Sequence, residues 1–145
     1  MLIENPLNSS ELTFPILECF HIAGFIVGIG SAALVDFRLL GVGMRRQTPE
    51  HLARDLRLWT LAGLTMAIFA GMLLFSTDPD KYYLNPPFVV KSICLVAAIV
   101  FHYTIHPKAV QSGSPPGSAR AVALISLCLW VSVVVGGMVV SFTAV

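Results

Sequence analysis

The chain has little charge. Only 12% of its 145 residues are Asp, Glu, Lys or Arg and the formal net charge is +1, so there is no basic excess of the kind that recruits nucleic acid. Cysteine is also scarce. Cys19, Cys94 and Cys128 lie in or near apolar stretches without CxxC or paired spacing, which argues against a disulfide or zinc framework and reads as small core residues. There is no nucleotide or phosphate loop and no convincing internal repeat, and the five methionines form no MxxM series suited to copper handling. The start, Met1-Leu2-Ile3-Glu4-Asn5-Pro6, lacks the positive segment of a cleaved signal, so the first apolar run is expected to be mature helix.

What the chain has in excess is hydrocarbon. A hydrophobic fraction of 56% and a mean hydropathy of +0.80 lie outside the range of a soluble domain. Four runs reach the length of about 20 residues needed to cross a bilayer: Phe14 to Met44, Arg57 to Ser76, Pro87 to His106 and Ala119 to Phe142. The expected fold is all-α, an integral membrane four-helix bundle in a single domain over residues 1–145, with the lipid bilayer as its surroundings.

The few charges orient it. Arg45, Arg46, Arg54 and Arg57 follow the first run and Lys108 and Arg120 bracket the gap after the third, whereas the remaining connection has Lys81 alone. The positive-inside rule then puts the basic connections in the cytoplasm and both termini outside, in the periplasm of a bacterial inner membrane. Gly41 and Gly43 are expected to turn the chain, and Thr48-Pro49-Glu50 to start a short polar helix leading to the second span. The outer loop from Thr77 to Pro87 reads as ordered, with Tyr82 and Tyr83 at headgroup level. Residues 111–118 have the composition of a flexible linker without chemistry.

An ionisable side chain inside an apolar run calls for a physical reason, and His21 is the clearest case. His21, Gly24, Gly28 and Ser31 share one face of the first helix, and Gly63, Ala67 and Gly71 repeat the small-residue pattern on the second. Close helix packing explains both faces; a flat cofactor ligated by His21 is the sharper alternative. Lys91, Cys94, Ala98 and His102 line one stripe of the third span, with Lys91 and His102 about 16 Å apart. Lys91 alone would read as a snorkelling anchor, and His102, His106 and His51 as solvated residues that imitate a metal site. His21 lies about 10 Å below the outer boundary, at the depth of Lys91, Met72 and Met138, whereas His102 lies toward the other side. A haem on His21 would therefore take its second axial ligand from an outer-half residue, from another subunit or from none. Asp36, Arg38 and Arg57 are expected to pair at the inner end of the first two helices, or Arg38 and Arg57 to receive carboxylates.

Cys19-Phe20-His21-Ile22-Ala23-Gly24, Phe88-Val89-Val90-Lys91 and Phe101-His102-Tyr103 resemble the helix 1 histidine and the helix 3 lysine and histidine of HemJ-type protoporphyrinogen oxidases, and more broadly CopD-like membrane proteins. Val35-Asp36-Phe37-Arg38-Leu39-Leu40-Gly41, Trp59-Thr60-Leu61-Ala62-Gly63 and Asn85-Pro86-Pro87-Phe88 resemble an uncharacterised four-helix bacterial family related to them. The resemblance implies a bundle that binds haem b, with His21 as the metal ligand and Lys91 and His102 as cofactor-binding positions. Gly28-Ile29-Gly30-Ser31-Ala32-Ala33 departs from the basic, aromatic-rich segment of the HemJ proteins, which weakens the oxidase activity more than the haem. The leading expectation is cytochrome b-like electron transfer, by a homo-oligomer or a subunit of a larger membrane redox complex. A HemJ-like oxidase and a cofactor-free accessory subunit are the alternatives.

Overall fold

The computed structural model describes residues 5–111 and 114–143. Six α-helices follow a 3-10 turn at Pro6–Asn8: α1 Thr13–Leu39, α2 Pro49–Thr77, α3 Pro79–Tyr83, α4 Pro86–Thr104, α5 His106–Val110 and α6 Pro116–Thr143. Four of them, α1, α2, α4 and α6, are long and apolar enough to cross a membrane. The four expected spans are present, with shifted ends that follow from local chemistry.

The first span stops at Leu39 rather than Met44, because Gly41 and Gly43 take φ of +85° and +70°, a backbone that ends a right-handed helix. The polar helix expected before the second span is continuous with it. Thr48 caps its start by accepting from the His51 N–H at 3.2 Å, Pro49 opens the first turn, and no breaker follows until Asp78. The third span ends two residues early. Pro107 cannot continue the hydrogen-bond ladder, so the chain breaks at Ile105 and restarts as α5. The outer loop is ordered as expected, with Asp78 capping α3 through the Lys81 N–H. Of the expected linker, Ser112 and Gly113 lie outside the described residues, and Pro116, Gly117 and Ser118 are not linker but the first turn of α6, which Pro116 opens.

The spans run up and down, so the ends of α1 and α4 carrying Thr13 and Pro86 share one end of the bundle with Thr77 and Thr143. The other end carries Arg45, Arg46, Arg54, Lys108 and Arg120, and is called the basic end below. Helix α1 packs along α2, α4 packs along α6, and α1 with α6 joins the two pairs. At mid-depth Ala32, Leu64, Ala98, Trp130 and Val133 form an apolar layer, surrounded by Phe25, Ile29, Cys94, Leu95, Ile99 and Leu129. Many large apolar side chains point outward, among them Ile26, Trp59, Ile93 and Val96, each more than 60% exposed. Water would penalise such a surface; acyl chains match it.

The contact between α1 and α2 is made by backbone. A Cβ on Gly24 would sit 2.5 Å from the Ala67 nitrogen, one on Gly28 would sit 2.7 Å from the Leu64 nitrogen, and one on Gly63 would overlap the Gly28 backbone. At the opposite end from the arginines, Asn5 and Asn8 donate side-chain N–H groups to Ser76 O (2.6 Å) and Thr77 O (3.1 Å), carbonyls in the last turn of α2 that lack helical partners. Phe75 and Phe88 stack nearby with Tyr82 tilted against both, and burial, helped by the charges of Asp78 and Glu18, pushes the Tyr82 hydroxyl above the usual tyrosine range.

Gly63→Val forces two backbones apart and is expected to cost about 1–3 kcal/mol or more, as overpacking does. Gly30, which has nothing within 4 Å of an added Cβ, accepts Ala without loss. Unfolding by denaturing detergent in mixed micelles measures both.

Candidate functional sites

The polar side chains of the spans collect at two depths. In the half away from the basic end, the Nδ1 of His21 lies 2.6 Å from the carbonyl oxygen of Ala67 on α2. A carbonyl accepts only, so Nδ1 carries the proton and donates, and Nε2 is left with its lone pair. The ring lies against Gly71, where a Cβ would come within 2.8 Å of Cε1, and meets Phe25 edge-on at 4.7 Å. The small residues on α2 thus have separate duties: Gly63 admits the α1 backbone and Gly71 seats the imidazole.

Lys91 also meets Phe25. Its Nζ is 5.6 Å from that ring's centroid, placed over the face, and its stem packs on Gly136 and Gly137, where added Cβ atoms would sit 3.0 Å from Lys91 Cβ and 3.3 Å from Nζ. The lysine is turned into the bundle rather than snorkelling to the headgroups, which corrects the anchor reading. Among the described residues no carboxylate pairs with it. Met72 and Met138, at matching depth, are 58% and 61% exposed and turn outward, so neither faces His21.

The second site is at the basic end, and much of it escapes sequence reasoning. Asp36 has no exposure at all. Its Oδ1 accepts from His106 Nε2 at 2.7 Å and its Oδ2 from Ser126 Oγ at 2.7 Å, so one carboxylate ties α1 to α5 and α6. The expected ion-pair cluster of Asp36, Arg38 and Arg57 does not form. Asp36 points inward, Arg38 donates from Nε to Gln47 O at 2.6 Å, and Arg57 is exposed. His106 is buried, 3% exposed, and is not the solvated residue expected. His102 stacks on it, with ring centroids 5.1 Å apart, and meets Trp130 edge-on at 6.1 Å. The order of contacts excludes a Ser–His–Asp hydrolase: the serine hydroxyl donates to the carboxylate and not to the imidazole.

His21 and Lys91 are therefore brought together through Phe25, and His102 is not with them. Fifteen helical steps of α1 from His21 to Asp36 place the two sites about 22 Å apart, with the apolar layer between them. His51 belongs to neither site and pairs with Asp55 on the surface at 3.0 Å. No group of three or more His, Cys, Asp or Glu side chains able to hold a metal ion occurs among the described residues.

Residues 12–143 match a family of unknown function, DUF6644. The chain belongs to the DUF6644 family. The matched span takes in every residue of both sites, so the sites lie within the family domain. No curated protein and no solved structure matches this DUF6644 chain, and none of the comparisons connects it with HemJ-type or CopD-like proteins.

Asp36→Ala strands the buried His106 imidazole and is expected to cost about 3–5 kcal/mol, the usual range for breaking a buried pair. Ser126→Ala removes one hydrogen bond to a charged group, about 1.5–3 kcal/mol. Denaturing-detergent titrations rank the two, and the reverse order contradicts the assignment of His106 as the main partner.

Proposed function

We propose that this DUF6644 protein is an integral membrane protein that binds haem b in the half of the bundle away from the basic end, with His21 as an axial ligand. The observation that carries the reading is the His21 hydrogen bond to Ala67 O. Metal-bound imidazoles nearly always donate their other N–H to a carbonyl or carboxylate, which holds the tautomer and aims the free nitrogen.

The residues present fit the group in two respects and redirect it in a third. His21 Nε2 is an available donor, and the Lys91 ammonium, held between Phe25 and the Gly136-Gly137 step, supplies the charge that a propionate carboxylate requires. The Gly24 and Gly28 groove is filled by α2, however, so it is not where a macrocycle lies. Haem would supply one-electron chemistry, and the protein would supply ligand, charge and a dry surround. With Met72 and Met138 facing outward, His21 is the residue of that group that would hold the iron, and any further ligand would come from a neighbouring subunit. The basic end would face the cytoplasm of a bacterial inner membrane, with both termini outside. The glycine contact itself favours a second reading, a cofactor-free accessory subunit that packs through α1 and α2.

Oxidised and dithionite-reduced spectra of protein purified after haem-replete expression separate these readings. Haem binding predicts a Soret band that His21→Ala abolishes and that Lys91→Met leaves in place, with haem retention weakened on the order of 10-fold, the worth of one charge-assisted contact. A protein without Soret absorbance overturns haem binding and leaves the packing subunit.

A further inference from the structure

Asp36 and His106 are the buried ionisable residues of the described chain, and a carboxylate with no exposure in a membrane span needs compensation. The charged and titratable groups around it supply no fixed cation. On α1, Arg38 is committed to Gln47 O. On α2, His51, Arg54, Asp55 and Arg57 are exposed; on α5, Lys108 is exposed; on α6, Arg120 is exposed and Ser126 offers a neutral hydroxyl. What remains is imidazole: His106 in direct contact at 2.7 Å, and His102 of α4 stacked on His106. Any charge that balances Asp36 must therefore arrive as a proton.

A second observation points the same way. The Nδ1 of His102 is the one buried side-chain nitrogen or oxygen without a hydrogen-bond partner among the described residues. Native structures leave few such atoms, and those they leave often serve chemistry. This one sits beside an imidazole already engaged with a carboxylate.

We propose that Asp36, His106 and His102 form a proton-exchange site at the basic end. The Asp36 and His106 pair stores one proton more than a carboxylate and a neutral imidazole hold together, and His102 is the group through which that proton enters or leaves. In the release step an N–H bond of the His106 imidazolium breaks and an N–H bond forms at Nδ1 of His102. The pair is left as carboxylate and neutral imidazole, His102 becomes the imidazolium, and no electrons change hands. The two rings stack at 28° rather than hydrogen-bond, so the transfer runs through a turn of the His102 ring or through one bridging water. His106 stands at the first turn of α5, just past the break at Ile105, where the chain leaves the span toward the surface. The apolar layer of Ala32, Leu64, Ala98, Trp130 and Val133 closes the site toward the other half of the bundle, so exchange is with the basic end alone. The proposal goes beyond the haem reading and stands whether or not His21 ligates iron.

The test is nitrogen NMR of the full-length protein in lipid nanodiscs with 15N-labelled histidine, each of the four imidazoles assigned by single His→Asn variants. In the wild type, His106 is expected to be an imidazolium at neutral pH. Asp36→Asn is expected to remove that charged signal, and His102→Gln to keep it while slowing its exchange with solvent at least tenfold. A His106 that is neutral at neutral pH in the wild type overturns the proposal, a result that needs no variant to fold. An imidazolium unaffected by Asp36→Asn, or exchange unchanged by His102→Gln, overturns it as well.

Discussion

The approach of α1 to α2 determines where everything else in the molecule can stand. Gly24, Gly28 and Gly63 let two backbones meet at distances that admit no side chain, and in a bilayer such contact replaces the hydrophobic drive that packs helices in water. Because the backbones are that close, the imidazole of His21 reaches a main-chain carbonyl rather than another side chain. Gly71, two turns beyond Gly63, then leaves the ring its seat. One geometric fact thus sets both the packing of the helix pair and the tautomer of its histidine.

The bilayer also explains why the polar residues gather at two depths. Hydroxyls such as Ser31, which donates to Val27 O, and Thr60, which donates to Leu56 O, return their protons to carbonyls of their own helices and so need nothing from neighbours, Ser126 being an exception. Charged or ionisable groups have no such local remedy. Lys91 is accommodated by an aromatic face and a pair of glycines, and Asp36 by an imidazole and a hydroxyl. Between the two lies an apolar layer without a carboxylate, imidazole or basic side chain, which keeps their chemistries apart. The outer surface carries no comparable demand, and its large apolar side chains face the lipid.

The architecture was legible in the sequence because hydropathy over about 20 residues is a strong signal, and because proline, glycine and threonine mark helix ends through their own backbone chemistry. Two boundaries moved where the deciding residue lay beyond the apolar run, as with Pro107 after His106 and Thr48 before the polar start of α2, and the end of α1 moved because Gly41 and Gly43 interrupt the run from within. The sites were less legible. His21 stood out by its surroundings, but its partner is a carbonyl 46 residues away, and any residue type supplies a carbonyl. Asp36 looked interfacial because Arg38 follows it within a turn. Its partners stand 70 and 90 residues further on, and helical spacing within one element says nothing about them. The signal that was present, a lone carboxylate within an apolar stretch and a serine in the middle of another, acquires meaning only when α1 and α6 are seen side by side. His106 read as solvated because it falls at the end of a span; the break at Ile105 turns it back into the bundle.

The most direct test of this account is the hydrogen bond that the α1 and α2 contact creates. Solid-state NMR of the protein in lipid, with 15N-labelled histidine and 13C-carbonyl-labelled alanine, reads the tautomer of His21 and its coupling to Ala67. The account predicts an imidazole protonated at Nδ1 with a through-space contact to that carbonyl. An Nε2–H tautomer, or a ring with no contact to Ala67, would contradict it.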